Sequence, residues 1–325
     1  KATVPLETGE GSITTNIGAV RNTGIELGLN LGVIRNKNFT WDVNLAFARN
    51  WSKITELPNG DDVSNNWFIG ERLNVLRDYT SAGIITTDGI TMRTKDGDRH
   101  YTLQEVYDTF GPGGQGLKWY EGQMAVNDWN NDGKINDEDK QIFGCTDPKW
   151  TGSLSSTMTY KGFDFSFMLY TKQGQWSRSY FHEQYMNYGD RGRQKVNFDY
   201  YIPAGTPVLD KNTGDVTYLS EAHIGKYPYP NNTEKTGGGY FSSSSAAVRY
   251  HKTSFVKVKN ITLGCTFPKA WLSKIAVKHL RLYVNVINPF CFTDYEGFNP
   301  EWASANLTNG GPASVTYQIG ANIKF

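Results

Sequence analysis

The sequence predicts an all-β fold: an antiparallel transmembrane β-barrel segment of about eight strands with long loops. Three observations predict it. Apolar and polar residues alternate with a period of two over stretches of ten or more positions. Tight turns alternate with long polar connections. Two tryptophans, Trp41 and Trp51, share one strand face at a spacing of ten residues.

The first strand runs from Asn22 to Val33, with Ile25, Leu27, Leu29, Leu31 and Val33 on one face and Glu26, Gly28, Asn30 and Gly32 on the other. A short turn at 35–38 leads into a second alternating run from Phe39 to Trp51. At about 3.3 Å per residue and a tilt near 45°, Trp41 and Trp51 are about 23 Å apart along a membrane normal, close to the spacing of the two aromatic girdles of a barrel. Further strands are expected at Val75 to Ile85, Trp150 to Tyr160, Phe163 to Thr171, Thr253 to Phe267, around Leu280 to Val286, and from Val315 to Phe325. Lys161-Gly162 forms a tight turn. A change of phase near Asn260 marks a β-bulge.

The long loops are expected at 86–149 and 175–249, with a third at 291–313. Short connections fall at 161–162 and 268–277. This one-sided distribution is that of a membrane barrel, whose periplasmic turns are short and extracellular loops long. Upstream the parity is less regular, because 34–38 is short and 52–72 is long.

Lys plus Arg is 33 and Asp plus Glu is 32, a net charge of +1. No basic excess marks a nucleic-acid binder. Mean hydropathy is −0.52, and no apolar run reaches the length of a membrane helix. Alternating strands keep the average low in a barrel. The three cysteines, Cys145, Cys265 and Cys291, form no CxxC pair, which speaks against a disulfide scaffold or a cysteine zinc site. The opening KATVPLETGEG has no apolar leader core, as expected of a mature product or of a chain that begins within a larger one.

One segment carries metal-ligand spacing. In DWNNDGKINDED, Asp128, Asn130 and Asp132 offer side-chain oxygens, Lys134 a backbone carbonyl and Asp139 a closing carboxylate, with Gly133 at the sharp turn. Such an oxygen cage suits Ca2+. Asp137 and Glu138 are spare acidic candidates. The same residues also suit an Asx-rich turn whose side chains cap its own backbone. Gly111, Gly113 and Gly116 match a dinucleotide fingerprint in spacing, but Pro112 and the lack of a βαβ context favour a plain loop. The five histidines show no HExxH pattern and read as surface residues. No GxSxG elbow or spaced carboxylate pair is present, so no enzymatic chemistry is expected. Loop aromatics Trp119, Tyr120, Trp129, Trp176, Tyr180, Phe181, Tyr185, Tyr188, Tyr200 and Tyr201 could meet a substrate or pack within their loops.

Several segments together resemble one family, the SusC/RagA-like TonB-dependent outer-membrane transporters. They are NTGIEL at 22–27, the acidic loop at 128–139, YKGFDFSFMLYTKQG at 160–174, SFVKVKNITLGCTFPK at 254–269, the stretch from Leu280 to Glu301 with its YEGFNPE loop, and the last strand ending on Phe325. Cys265 stands where an aromatic is common, and Ile287-Asn288-Pro289-Phe290 replaces a more usual run. The resemblance covers nearly all of residues 1–325 except 175–249 and is similar to the family's C-terminal part. It implies a plugged barrel of about 22 strands in the outer membrane, embedded in lipid and working with a SusD-like surface lipoprotein. It also implies TonB-driven import of glycan or peptide oligomers, with the plug domain and TonB box outside the residues given. The main alternative is a soluble secreted β-sandwich that binds carbohydrate and carries a calcium-stabilised loop.

Overall fold

The computed structural model describes residues 2–3, 12–13, 18–111, 116–185, 198–210, 212–229, 246–273, 276–304 and 314–325. Its main element is one seven-stranded antiparallel sheet. The strands are β1 (Ala19–Arg35), β2 (Phe39–Glu56), β3 (Trp150–Tyr160), β4 (Phe163–Gln173), β5 (Phe255–Thr266), β6 (His279–Phe292) and β7 (Thr316–Lys324). Each pairs with its neighbours in chain order, so the sheet is an up-and-down meander.

The expected strand at 75–85 does not join this sheet. Val75–Asp78 pairs with Gln141–Cys145, and Ser81–Ile84 pairs with Met124–Val126, both in separate two-stranded pieces. Val75, Ile84 and Ile85 are buried within the loop region, so their apolar pattern reports loop packing. The connection from β2 to β3 therefore spans 57–149. This removes the parity problem: connections 36–38, 161–162 and 267–278 are short, and 57–149, 174–254 and 293–315 are long, in strict alternation.

Local chemistry sets the short turns. Asn36 Oδ1 accepts from the backbone N–H of Asn38 at 3.1 Å and of Phe39 at 2.8 Å. Lys161 and Gly162 both adopt positive φ, 45° and 90°, the requirement of a two-residue type I′ hairpin. A side chain at Gly162 would stand 2.7 Å from the Thr266 carbonyl.

The register makes two unlike faces. Ile34, Trp41, Met158, Phe165, Leu263, Val284 and Ile319 are successive cross-strand partners across the whole sheet, and every one is apolar. The neighbouring row on the opposite face is Gly32, Asp42, Thr157, Ser166, Thr262, Asn285 and Gln318. It is laced by hydrogen bonds from Thr262 Oγ1 to Asn285 Oδ1 at 2.9 Å and from Asn285 Nδ2 to Gln318 Oε1 at 3.0 Å. Apolar outside and polar inside is the pattern of a barrel wall. The apolar face is left bare, with Leu29 53% and Ile319 87% exposed. A sandwich would cover this face with a second sheet. Among the described residues the other sheets are two-stranded pieces, so the sandwich reading fails.

Aromatics gather at both ends of the wall. Phe39, Tyr160 and Phe163 are cross-strand partners at the short-turn end. At the other end Trp150 lies 5.7 Å from Phe47, ring to ring. The Trp41 indole N–H donates to Ser156 Oγ at 2.9 Å, which satisfies its one polar atom on an otherwise apolar face.

The buried core is in the long connections. Ile85, Ile90, Met92, Tyr101, Val106, Tyr120 and Ala125 form one cluster. A helix at Leu103–Phe110 closes it, started by a capping box between Thr102 and Glu105, a device worth about 1 kcal/mol. A second cluster joins Ile84 and Met124 to Phe181, Phe198, Tyr201, Tyr227 and Val248. The described parts of the two excursions thus pack against each other.

Candidate functional site

The phase switch read at Asn260 is a bulge. Across to β4 the pairing passes from Leu169–Val258 to Met168–Asn260, leaving Lys259 as the extra residue. Lys257 and Lys259 share the polar face by alternation, and the added residue returns Asn260 to that face, so that Ile261 and Leu263 fall on the apolar one. Both ammonium groups meet Glu301 from the connection after β6, at 2.5 Å for Lys257 and 3.0 Å for Lys259. Glu301 is presented by a short 3-10 turn, Pro300–Trp302, in which the Glu301 N–H donates to Asn299 Oδ1 at 3.0 Å. Burial works to raise the Glu301 carboxyl, but the two lysines outweigh it and hold the group below its ordinary value. Sequence reasoning found the bulge and the YEGFNPE motif separately and did not connect them.

Nearer the short turns, Arg281 grips Asp164 with two bonds, 2.9 and 2.5 Å. The pair crosses directly over Gly264, where a Cβ would approach both side chains to 2.5 Å.

The excursions and the loop after β6 are joined by a buried network. His182 and His251 stack at 3.6 Å between ring centroids. Ser179 Oγ is 2.6 Å from His182 Nδ1 and 2.6 Å from Tyr295 Oη. Tyr227 Oη is 3.2 Å from His182 Nε2 and donates to Glu296, which also pairs with Lys226 at 2.7 Å. Burial first, then the neighbouring His251, pushes His182 down to about 2. His251 is lowered as well, mainly by burial. The reading of all five histidines as surface residues is therefore corrected for these two. Nothing local marked them for burial, because the partners Phe198, Tyr227 and Tyr295 come from distant positions.

The acidic loop folds as one unit. Asp128 and Asp139 are fully buried. Asp128 accepts from Asp132 N and Gly133 N at 3.2 and 2.9 Å, and Asp139 accepts from Asn130 N and Asn136 N at 3.2 and 2.9 Å. Asn130 Oδ1 accepts from Asp132 N at 3.1 Å, and Asp132 Oδ1 accepts from Lys134 N at 2.8 Å. Gly133 takes a φ of +77°. These bonds tie Asp128, Asn130, Asp132 and Asp139 into one turn, which Lys134 enters through its backbone N–H. Burial, aided by the charge of Asp128, raises the Asp139 carboxyl despite its backbone donors. An oxygen-only donor set with two buried carboxylates fits a hard cation. Among the described residues no group of three or more His, Cys, Asp or Glu is gathered for a metal, Asp128, Asp132 and Asp139 included.

The loop aromatics divide. Tyr120, Phe181 and Tyr201 are core residues, and Trp176 packs on Phe143 at 5.5 Å. Trp129 remains on a cleft wall. Tyr188, the glycine-rich residues 112–115 and the side chains of Trp119 and Tyr185 lie outside the described residues. The three cysteines are free.

No family model matches the chain. It is 28% identical over 351 residues to TonB-dependent receptor P39 of Formosa agariphila, covering 99% of this chain and 32% of that protein. It is also 28% identical over 315 residues to TonB-dependent receptor SusC of Bacteroides thetaiotaomicron, covering 96% of this chain and 27% of the relative. Among solved structures it superposes on the RagAB peptide transporter with a TM-score of 0.60 at 19% identity, covering 99% of this chain and 31% of that one. The open-open state of the RagAB peptide importer gives 0.60 at 20% identity. The chain spans about a third of the length of the curated relatives it matches. In sequence the chain is thus similar to about a third of the length of TonB-dependent receptors, SusC among them. In fold it is similar to the RagAB structures.

Proposed function

We propose that this chain forms part of the wall and the outer loop layer of an outer-membrane transporter that imports oligomeric nutrients, glycans or peptides, under TonB control. The carrying observation is the seven-stranded meander with one apolar and one polar face and strict alternation of short and long connections. An SusD-like lipoprotein would dock over the long-loop end. Coupling to TonB belongs to the whole transporter. Deleting the gene in its own organism, then restoring it with and without functional TonB, tests this reading. Uptake of at least one oligomeric nutrient should vanish on deletion and return only with TonB. Unchanged growth on every oligomer, or uptake independent of TonB, would oppose it.

We also propose that the loop of Asp128, Asn130, Asp132, Lys134 and Asp139 holds Ca2+. The support is an all-oxygen set around two buried carboxylates. Adding Ca2+ to chelator-treated transporter should raise its melting temperature, and Asp128→Asn should abolish that rise. A melting temperature indifferent to Ca2+ would oppose the assignment.

A further inference from the structure

The apolar face of the wall changes character at the long-loop end of β1 and β2. The register sets Arg21 against Lys53, Thr23 against Trp51 and Ile25 against Arg49. These pairs continue the alternation of Leu27 with Phe47 and Leu29 with Leu45, so all of them share that face. Ile25, Leu27 and Leu29 are each about half exposed. A bare apolar strip thus runs up into a cluster of three cations. We propose that Arg21, Arg49 and Lys53 bind the phosphate headgroup of an outer-leaflet lipid, with an acyl chain lying along Ile25, Leu27 and Leu29. The proposal rests on the reading that this face meets the membrane with the long connections outside, and it names the lipid chemistry that this part of the wall takes.

The cations call for an anion. Arg21 and Lys53 are direct cross-strand partners on one face, and like charges so placed repel each other. Among the described residues, Arg21, Arg49 and Lys53 form no ion pair. Glu26 falls on the polar face, and Glu56, which ends β2 opposite Ala19, makes no ion pair with them. Arg35, near the other end of β1, is by contrast engaged by Asp42 at 2.8 Å. A phosphate between Arg21 and Lys53 would replace their repulsion by two attractions. The planar guanidinium of an arginine matches two phosphate oxygens at once.

Height selects a lipid over a soluble anion. Trp51 stands at the outer girdle, and Arg21 and Lys53 lie two positions farther along their strands. At about 3.3 Å per residue and a tilt near 45°, this is about 5 Å beyond Trp51 along the membrane normal, within the headgroup layer. Arg49 stays at the girdle, its guanidinium 4.6 Å from the centre of the Trp51 ring, where amphipathic rings sit among headgroups. An acidic protein would meet the cations but leave Ile25, Leu27 and Leu29 bare. A phosphorylated lipid satisfies both parts, charge above and hydrocarbon below.

The test is native mass spectrometry of the purified full-length transporter in a neutral detergent. It is titrated with lipid A, with lipid A stripped of its phosphates, and with inorganic phosphate. Lipid A should bind at least about tenfold more tightly than the stripped form. Arg21→Gln combined with Lys53→Gln should weaken it by about tenfold or more, and Arg49→Gln should weaken it as well. Lys37→Gln, in the first short turn, should leave it unchanged. Arg21, Arg49 and Lys53 are all exposed, so these variants spare the packing of the sheet. Equal binding of the two lipid forms, lipid A binding indifferent to both sets of variants, an equal loss with Lys37→Gln, or inorganic phosphate binding as tightly as lipid A would each overturn the proposal. Binding needs neither TonB nor transport. Failed uptake with intact phosphate-dependent binding would count against the transport reading alone, and phosphate-independent binding with intact uptake against this site alone.

Discussion

Glu301 and Lys257 meet at 2.5 Å on the polar face of the wall, with the Lys257 side chain only 4% exposed. This contact, shared with Lys259, fastens the connection after β6 to β5. A charge as buried as Lys257 is tolerable only with its partner. Glu301→Gln should therefore cost about 3 kcal/mol, seen as a lower melting temperature. It should also raise hydrogen exchange across Tyr295–Trp302. Lowering pH gives the same contrast: the Glu301 carboxyl is held below 4.5, so its contribution persists above that value and is lost as pH falls through the depressed one. If exchange in this loop is the same in the variant and the parent, the clamp has no role in placing the loop.

The stacked His182 and His251 set a second pH response. Both are held neutral well below their ordinary 6.5. Protons bind the unfolded form first, so the stability of this cluster is full above about 6.5 and declines steadily as pH falls from there. Lys226 and Glu296 face the same network. Hydrogen exchange near residues 179–182 and 250–252 should rise between about pH 7 and pH 5, while β2 to β4 stay protected. Replacing both histidines by glutamine should flatten that response. A response of equal size in the double variant would assign it to other groups.

Much of the wall was legible because strands facing lipid and lumen must alternate, and β3 begins and ends where the pattern of Trp150 to Tyr160 does. The bulge at Lys259 was legible as a break in phase. The excursions were not. Val75 and Ile85 mimic a wall strand because burial in a loop core and exposure to lipid select the same residues. The Glu301 clamp and the histidine stack join residues 42 to 69 positions apart, a distance over which no local pattern speaks. The fold of the acidic loop was legible, since its Asp and Asn side chains lie within twelve positions and accept from its own backbone donors.

Adjacent positions on β2 separate the two faces. Leu45 pairs with Leu29 and Leu154 on the apolar face, and Asn44 pairs with Asn30 and Ser155 on the polar one. Leu45→Arg should destabilise the assembled barrel by about 2–4 kcal/mol, and Asn44→Arg by far less. Heat-dependent unfolding in detergent, followed by electrophoretic mobility, reads the difference. Equal effects would mean that the apolar face does not meet lipid.

The orientation of the wall is tested most directly by cysteine accessibility in intact cells. In the full-length transporter with its native cysteines replaced, Asn212→Cys in the second long connection and Lys37→Cys in the first short turn are exposed to a membrane-impermeant maleimide. Labelling at position 212 in intact cells, with labelling at 37 only after the outer membrane is broken, is the predicted result. Equal labelling of both positions in intact cells, or recovery of the protein in the soluble fraction, would contradict a barrel wall with its long connections outside.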